Sequence, residues 1–353
     1  VLDDVGIKHV KIFREEGNNN LVYIDKAVFI EGARPDVKAA YPDHPDNNNA
    51  GWGYMLLTHF FPNGGNGEFI LHAIATDLDG KSTTLGTRTI IIDNANAVKP
   101  FGAIDTPAQG SIVSGNSFVN WGWALTPKSN NIPTDGSTIK VLIDSIEVGN
   151  PTYNLPRKDI ATFFPGLANS DGASGYFVLD TTRFKNGVHT IQWTVTDSAG
   201  NTDGIGSRFF SILNSHSGSS QAKRTTGNRQ TITVPGDLAQ LPLNRREPVK
   251  IRKGFHDRKP QVIAPEVQGQ IVIDIEELER IEIDLSGRGN LTAVSPLPTG
   301  STFDTRSSMF YWQPVAGFIG RYSIVFIEKD GTGLISRKEI IINILPKGTK
   351  ISK

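Results

Sequence analysis

Asp77-Leu-Asp79-Gly80 is the nearest thing in this sequence to a metal loop. Calcium loops use oxygen donors at alternate positions with a glycine at the turn, but an EF-hand loop also needs more oxygens and a distal glutamate. The same turn recurs as Asp197-Ser-Ala-Gly200 with one acid lost. A hairpin turn whose aspartate accepts local backbone N–H groups accounts for both copies. Calcium at Asp77 and Asp79 stands as the alternative, and no other cofactor is expected. Calcium between domains would need acidic clusters at the junctions, where Asp93 and Asp105 are the only nearby candidates. Catalytic signatures are missing: there is no G-x-S-x-G, no H-E-x-x-H, no P-loop and no cysteine. The histidines, at 9, 44, 59, 72, 189, 216 and 256, include no pair at helical ligand spacing. The chain therefore reads as a non-enzyme.

Charged and aromatic residues offer further candidates. Arg34, Asp36 and Arg88 recur as Arg157, Asp159 and Arg208. This co-repetition predicts a structural ion pair in each unit, with Asp36 and Asp159 near the closing-strand arginine, pinning the long loop. Trp52-Gly-Tyr54 and Trp121-Gly-Trp123 are the candidates for a sugar platform. On an alternating strand Trp121 and Trp123 share a face, and that face reads as core, as do Trp193 and Trp312. Trp52, in a Gly- and Asn-rich loop next to Tyr54, is the one expected at the surface. The basic residues Lys223, Arg224, Arg229, Arg245 and Arg246 have no interleaved aromatics and read as a solvated linker. Lys+Arg and Asp+Glu balance at 36 each, which argues against a nucleic-acid or membrane-surface partner. No apolar run approaches the ~20 residues of a membrane helix. The absence of cysteine excludes disulfides and cysteine-ligated zinc.

The elements that must position these residues are repeated along the chain. Asn66-Gly67, Thr76-Asp77, Gly80, Gly86, Arg88 and Asn94 match Asn186-Gly187, Thr196-Asp197, Gly200, Gly206, Arg208 and Asn214. Each copy is two strands around an Asp-x-x-Gly turn, the closing hairpin of a β-sandwich. In the second copy Val188, Ile191, Trp193 and Val195 supply the apolar alternation, with one slip of phase near His189. Gly53-Tyr54 matches Gly175-Tyr176, and Tyr41-Pro42 matches Phe164-Pro165. Two to three domains are expected from 353 residues, and the frequent Gly (36) and Pro (20) suit a turn-rich β protein. The expected fold is all-β: three tandem immunoglobulin-like β-sandwiches. The first covers 1–96 and is N-terminally incomplete, because it has no counterpart of the lead-in from Phe101 to Trp123. The second covers 97–214, a polar and basic linker 215–248, and the third sandwich 249–347. Without an initiator Met or signal peptide, the chain reads as processed or as a fragment.

The third stretch carries its own motifs: Leu297-Pro-Thr-Gly, Phe303-Asp304, Phe310-Tyr-Trp312-Gln-Pro314, Gly320-Arg-Tyr322 and the turn Asp330-Gly331. It resembles the cadherin-like immunoglobulin domains of bacterial surface proteins, with Ser301-Thr302 where Leu-Ser is more usual. The first two units are similar to bacterial immunoglobulin-like repeats of large exported proteins, through the Thr-Asp-x-x-Gly hairpin and Gly122-Trp-Ala-Leu125. The resemblance implies an extracellular or cell-surface, non-catalytic element: a spacer, an adhesive module, or a polymer or coat subunit. The alternative is a carbohydrate-binding or adhesion module of a larger secreted protein. Expected partners are other copies of the chain or other surface proteins, with glycans as the alternative. An incomplete sandwich leaves an open edge that another chain can fill by β-strand addition, with Thr231, Ile232, Thr233 and Val234 as the candidate donor. Hydrophobic faces are expected to be consumed sheet against sheet, leaving no recessed chamber.

Overall fold

The computed structural model describes residues 1–214, 238–255, 259–287, 289–294 and 297–347. The candidate donor residues 231–234 and the basic residues 223–229 lie outside them. Strand Gly187–Thr196 shows how the sequence builds the rest. Its odd positions Ile191, Trp193 and Val195 are each 0% exposed and face the sandwich core. Val188, at the strand's start, is exposed, so the alternation keeps one phase and no slip occurs at His189. The even positions Thr190, Gln192 and Thr194 are buried as well. A strand with polar residues buried on its second face must be covered by another layer.

The chain is all-β and built of tandem β-sandwiches. In the second unit a five-stranded sheet runs Ile146–Gly149, Ile139–Ile143, Gly187–Thr196, Thr202–Ile212, Ser111–Val113. Facing it is a four-stranded sheet: Thr152–Leu155, Ser174–Leu179, Phe118–Leu125, Phe101–Ile104. The edge strand Ser111–Val113 runs parallel to the closing strand, pairing Phe210 with Ser111 and Ile212 with Val113. Gly122 lets the sheets meet, since a Cβ there would lie 3.2 Å from the Trp193 ring. The third unit stacks Gln261–Ile263, Val249–Lys253, Ile281–Asp284, Met309–Trp312 and Ser301–Asp304 against Ile271–Glu276, Ile335–Leu345, Gly320–Asp330 and Gly289–Ala293. Its core is dominated by isoleucine and aromatic side chains, with Trp312 and Phe310 fully buried.

The first unit is thinner. One four-stranded sheet, Asn20–Lys26, Ile7–Glu16, Asn66–Asp77, Ser82–Asp93, faces only the short pair Val28–Phe29 and Trp52–Gly53. The stretch from Gly53 to Leu57 contributes a strand only as far as Gly53.

The units interlock rather than hang from short connections. Ile30 and Ala33 of the first unit join the third unit's core. The Ala33 carbonyl accepts from Ile319 N at 3.1 Å and from the Tyr322 hydroxyl at 2.9 Å. Gly53 abuts the third unit so closely that a Cβ would sit 2.1 Å from the Ala316 carbonyl oxygen. The hairpin tip Asp144–Ser145, with φ of 48° and 68°, docks the second unit on the third. There the Asp144 carbonyl accepts from Thr302 Oγ1 at 3.0 Å, and the Ser145 carbonyl accepts from Arg280 Nη2 at 3.1 Å.

The first and second units meet through His59, stacked on Phe101 at 3.8 Å, and through Phe60 against Phe163 and Phe164. Burial pushes the His59 pKa down to about 4. Between that value and the unfolded value near 6.5 the unfolded chain binds the proton and the folded chain does not. This contribution to stability is therefore present at pH 7 and lost as pH falls from about 6.5 to about 4. His59 is half-buried, so solvent screening limits the loss to about 1–2 kcal/mol. Urea unfolding followed by tryptophan fluorescence should show a lower midpoint at pH 4.5 than at pH 7. His59→Phe, which keeps the ring on Phe101, should reduce that difference, and an unchanged pH profile would refute the assignment.

Candidate binding cleft

A cleft of about 990 Å³ opens where the second and third sandwiches meet. This corrects the expectation that sheet-on-sheet packing leaves no recessed chamber: each sandwich is closed, and the space lies between them. Its second-unit wall is the outer face of the closing hairpin, with Gln192, Gly204 and Ser207. Its third-unit wall is Lys253–Phe255, the turn 276–280 and Gln313-Pro-Val315. The two walls approach closely, because a Cβ at Gly204 would lie 3.4 Å from Phe255 and 3.6 Å from Gln313 Nε2.

The turn 276–280 is held by unusual means. Leu278 is left-handed, at φ +71°, and its carbonyl accepts from Gln313 Nε2 at 3.2 Å. Arg280 donates to Ser145 O and to Glu282, and its guanidinium lies between the Phe255 and Tyr311 rings, 5.8 and 5.7 Å from their centroids. Glu277 accepts from Gly317 N. Burial raises the pKa of Glu277 above the ordinary carboxyl range, against opposing pulls from that N–H and from Lys347. Four polar atoms in the walls are buried without a hydrogen-bond partner: Gln192 Nε2, Ser207 Oγ, Arg280 Nε and Gln313 Oε1.

The residues nominated from sequence lie elsewhere. Asp77 accepts from Lys81 N at 2.8 Å across its own turn. The equivalent Asp197 accepts from Ala199 N and Asn201 N, and from Thr126 Oγ1 at 2.8 Å. Burial raises the Asp197 pKa, and the bonds from Asn201, Thr126 and Ala199 outweigh it and hold the carboxyl below its ordinary value. Among the described residues no group of three His, Asp or Glu could hold a metal ion.

The aspartates of the repeated charged motif pair with a different arginine from the one expected. Asp36 binds Arg34 Nε and Nη2 at 2.8 and 2.7 Å, and Asp159 binds Arg157 at 2.8 and 3.1 Å. Arg157 also bridges to Asp105 across the loop at 2.5 Å. Each short helix, Pro35–Ala40 and Lys158–Phe163, starts directly after its arginine, which brings a carboxylate two residues on within reach. The closing-strand Arg208 instead donates to Ile104 O at 2.8 Å, and no ion pair among the described residues joins Arg88 to Asp36.

Trp52 is not an exposed platform. It pairs with Phe29 and packs, with Tyr54, against the first unit's core. The exposed tryptophan is Trp121, at 39%, tilted 48° against Tyr176 with centroids 5.2 Å apart. Trp121 and Trp123 do share a face, but it is the sandwich's outer face. Trp123 is buried there because Ile160, Phe164 and the first unit's Leu57 cover it, and Trp121 lies beyond their reach. The cleft itself had one sequence signal, a glutamine beside tryptophan in two core strands, Ile191-Gln192-Trp193 and Trp312-Gln313.

No protein-family model matches the sequence, and no curated protein matches it. Solved structures with detectable likeness include the fibronectin(III)-like modules of Clostridium thermocellum CbhA, at 13% identity and TM-score 0.23, covering 63% of this chain and 86% of that one. A second is Bacteroides ovatus SGBP-B of a mixed-linkage glucan utilization locus, in complex with a heptasaccharide, at 10% identity and TM-score 0.20. That match covers 96% of this chain and 61% of the other, so the chain spans about three fifths of that protein. A third is a tetra-tandem repeat from the extending region of a large adhesion protein, at 11% identity and TM-score 0.20, covering 97% and 68%. None of these assigns an activity, and the architecture rests on the sheets themselves.

Proposed function

We propose that this chain is a non-catalytic extracellular structural element of a bacterial surface, built of tandem immunoglobulin-like sandwiches, which assembles with other copies by β-strand addition. One observation carries the reading. Strand Ser82–Asp93 is a twelve-residue sheet edge exposed at nearly every position, with Ile91 82% exposed. Its repeat counterpart, Thr202–Ile212, has the last three residues of that edge, 210–212, paired with the parallel strand Ser111–Val113. The internal repeat thus supplies the template for what fits beside Ile90, Ile91 and Ile92: a short, β-branched strand in parallel register. The edge carries two charges, Arg88 and Asp93, and a bulge at Leu85, and its run Thr89-Ile90-Ile91-Ile92 is uncharged and regularly paired on its other side, which favours pairing with another chain there. The interlocked junctions support a stiff body that can present such an edge, and no helix among the described residues is long and apolar enough to cross a membrane.

Light scattering over a wide concentration range tests the proposal. Association should rise with concentration in the natural chain. Ile91→Lys, which places a charge on the edge without touching the core, should hold the chain monomeric with an unchanged circular dichroism spectrum. A natural chain that is monomeric throughout counts against the assembly.

A further inference from the structure

Buried polar atoms are almost always hydrogen-bonded, and leaving one without a partner is costly. Of eight such side-chain atoms among the described residues, four belong to residues that line one cleft, and together they have a chemical pattern. Gln192 Nε2 and Arg280 Nε are donors. Gln313 Oε1 is an acceptor. Ser207 Oγ is both. Gln192 and Gln313 are 2% and 8% exposed, so neither reaches bulk water. Gln313 Nε2 is already held by Leu278 O, which leaves Oε1 as that amide's unpaired atom.

The charges of the lining nearly cancel. Lys99, Lys253, Arg280 and Lys347 give four cations, and Asp203, Asp274, Glu276, Glu277 and Glu279 give five acids, a difference of one. Several of these are already engaged: Lys99 pairs with Asp203 at 3.5 Å, Arg280 with Glu282, and Glu277 with Gly317 N. Such a lining does not select for a charged ligand. Phe255 adds an aromatic surface beside these polar groups, and the volume falls in the range of sites that hold small molecules. A ligand that satisfies these walls must be uncharged, must offer acceptors and donors in close succession, and must present an apolar face to a ring. A hydroxyl-bearing pyranose meets all three requirements.

We infer that the cleft between the second and third sandwiches binds a short neutral oligosaccharide. Gln192, Ser207, Arg280 and Gln313 supply the hydrogen bonds and Phe255 the stacking surface. This site is independent of strand addition at Ser82–Asp93 and of the aromatic residues Trp52 and Tyr54.

Cellotriose, xylotriose, maltotriose and chitotriose are titrated into the full chain by isothermal calorimetry and saturation-transfer NMR. At least one should bind, and Gln192→Leu should weaken it about tenfold by removing one hydrogen bond. Because that substitution also removes an unpartnered buried amide, its thermal midpoint should be unchanged or raised. Phe255→Ala, outside the sheet core, should weaken binding as well. Absence of binding by all four at about 10 mM, a ligand excess that would reveal even millimolar affinity, overturns the inference. So does binding that Gln192→Leu and Phe255→Ala both leave intact, or competition by a charged trisaccharide that binds more tightly.

Discussion

Lys338→Ala should cost the third unit about 3–5 kcal/mol, the range for removing one partner of a buried charge cluster. Lys338 is 1% exposed on strand Ile335–Leu345, with Nζ 3.8 Å from Glu247 Oε2. Glu328, 3% exposed, shares the site: a Cβ at Gly287 would lie 2.8 Å from Glu328 Oε1 and 3.0 Å from Glu247 Oε2. The lysine pairs with Glu247, and Asn244 Nδ2 donates to both Glu247 and Glu328 at 3.2 and 3.1 Å. Without it, Glu247 and the buried Glu328 keep the Asn244 amide but lose the positive charge that offsets Glu247. Urea unfolding followed by tryptophan fluorescence measures the loss. Lys338→Met keeps the volume and should be nearly as destabilised, whereas adding Glu328→Gln to it should recover part of the loss. Equal stability of Lys338→Met and the natural chain would show that the site needs volume and not charge.

Trp193→Ala should cost about 3–5 kcal/mol in the second unit, as large-to-small changes at buried aromatics do. The ring fills the centre of that core against Gly122, and its Nε1 donates to Asn120 Oδ1 at 2.7 Å. Asn120 is itself 0% exposed and donates to Thr106 O. Trp193→Phe separates the two effects. It retains most of the packing and leaves the Asn120 oxygen without a donor, so about 1–3 kcal/mol should be lost. Thermal unfolding of the three proteins ranks them, and Trp193→Phe as unstable as Trp193→Ala would assign the whole effect to the polar bridge.

The sandwiches were legible because their signals are local. Alternation placed Ile191, Trp193 and Val195 inward, and the Asp-x-x-Gly turns at Asp77 and Asp197 fold around their own backbone N–H groups. What escaped was everything decided by a second unit. Trp123 is buried and Trp121 exposed on one face because Ile160 and Phe164, together with the first unit's Leu57, cover only one of them. Thr190 and Gln192 look like solvent-facing positions until the third unit covers them. The pairing of Asp36 and Asp159 failed for the opposite reason: co-repetition pointed to a distant arginine, while a tight helix start delivered the near one. The cleft is a product of docking, so only its two glutamines marked it in the sequence.

Strand Ile335–Leu345 is gripped along both flanks, by the parallel Ile271–Glu276 and the antiparallel Gly320–Asp330. Tension applied at Leu345 along the strand loads both rows of hydrogen bonds at once, so they must shear together and cannot unzip one by one. Ser82–Asp93 is held along a single flank and peels more readily under the same pull. A single copy under such a pull would therefore yield first at its N-terminal sheet and last at its C-terminal clamp, until a strand of another copy fills the open edge.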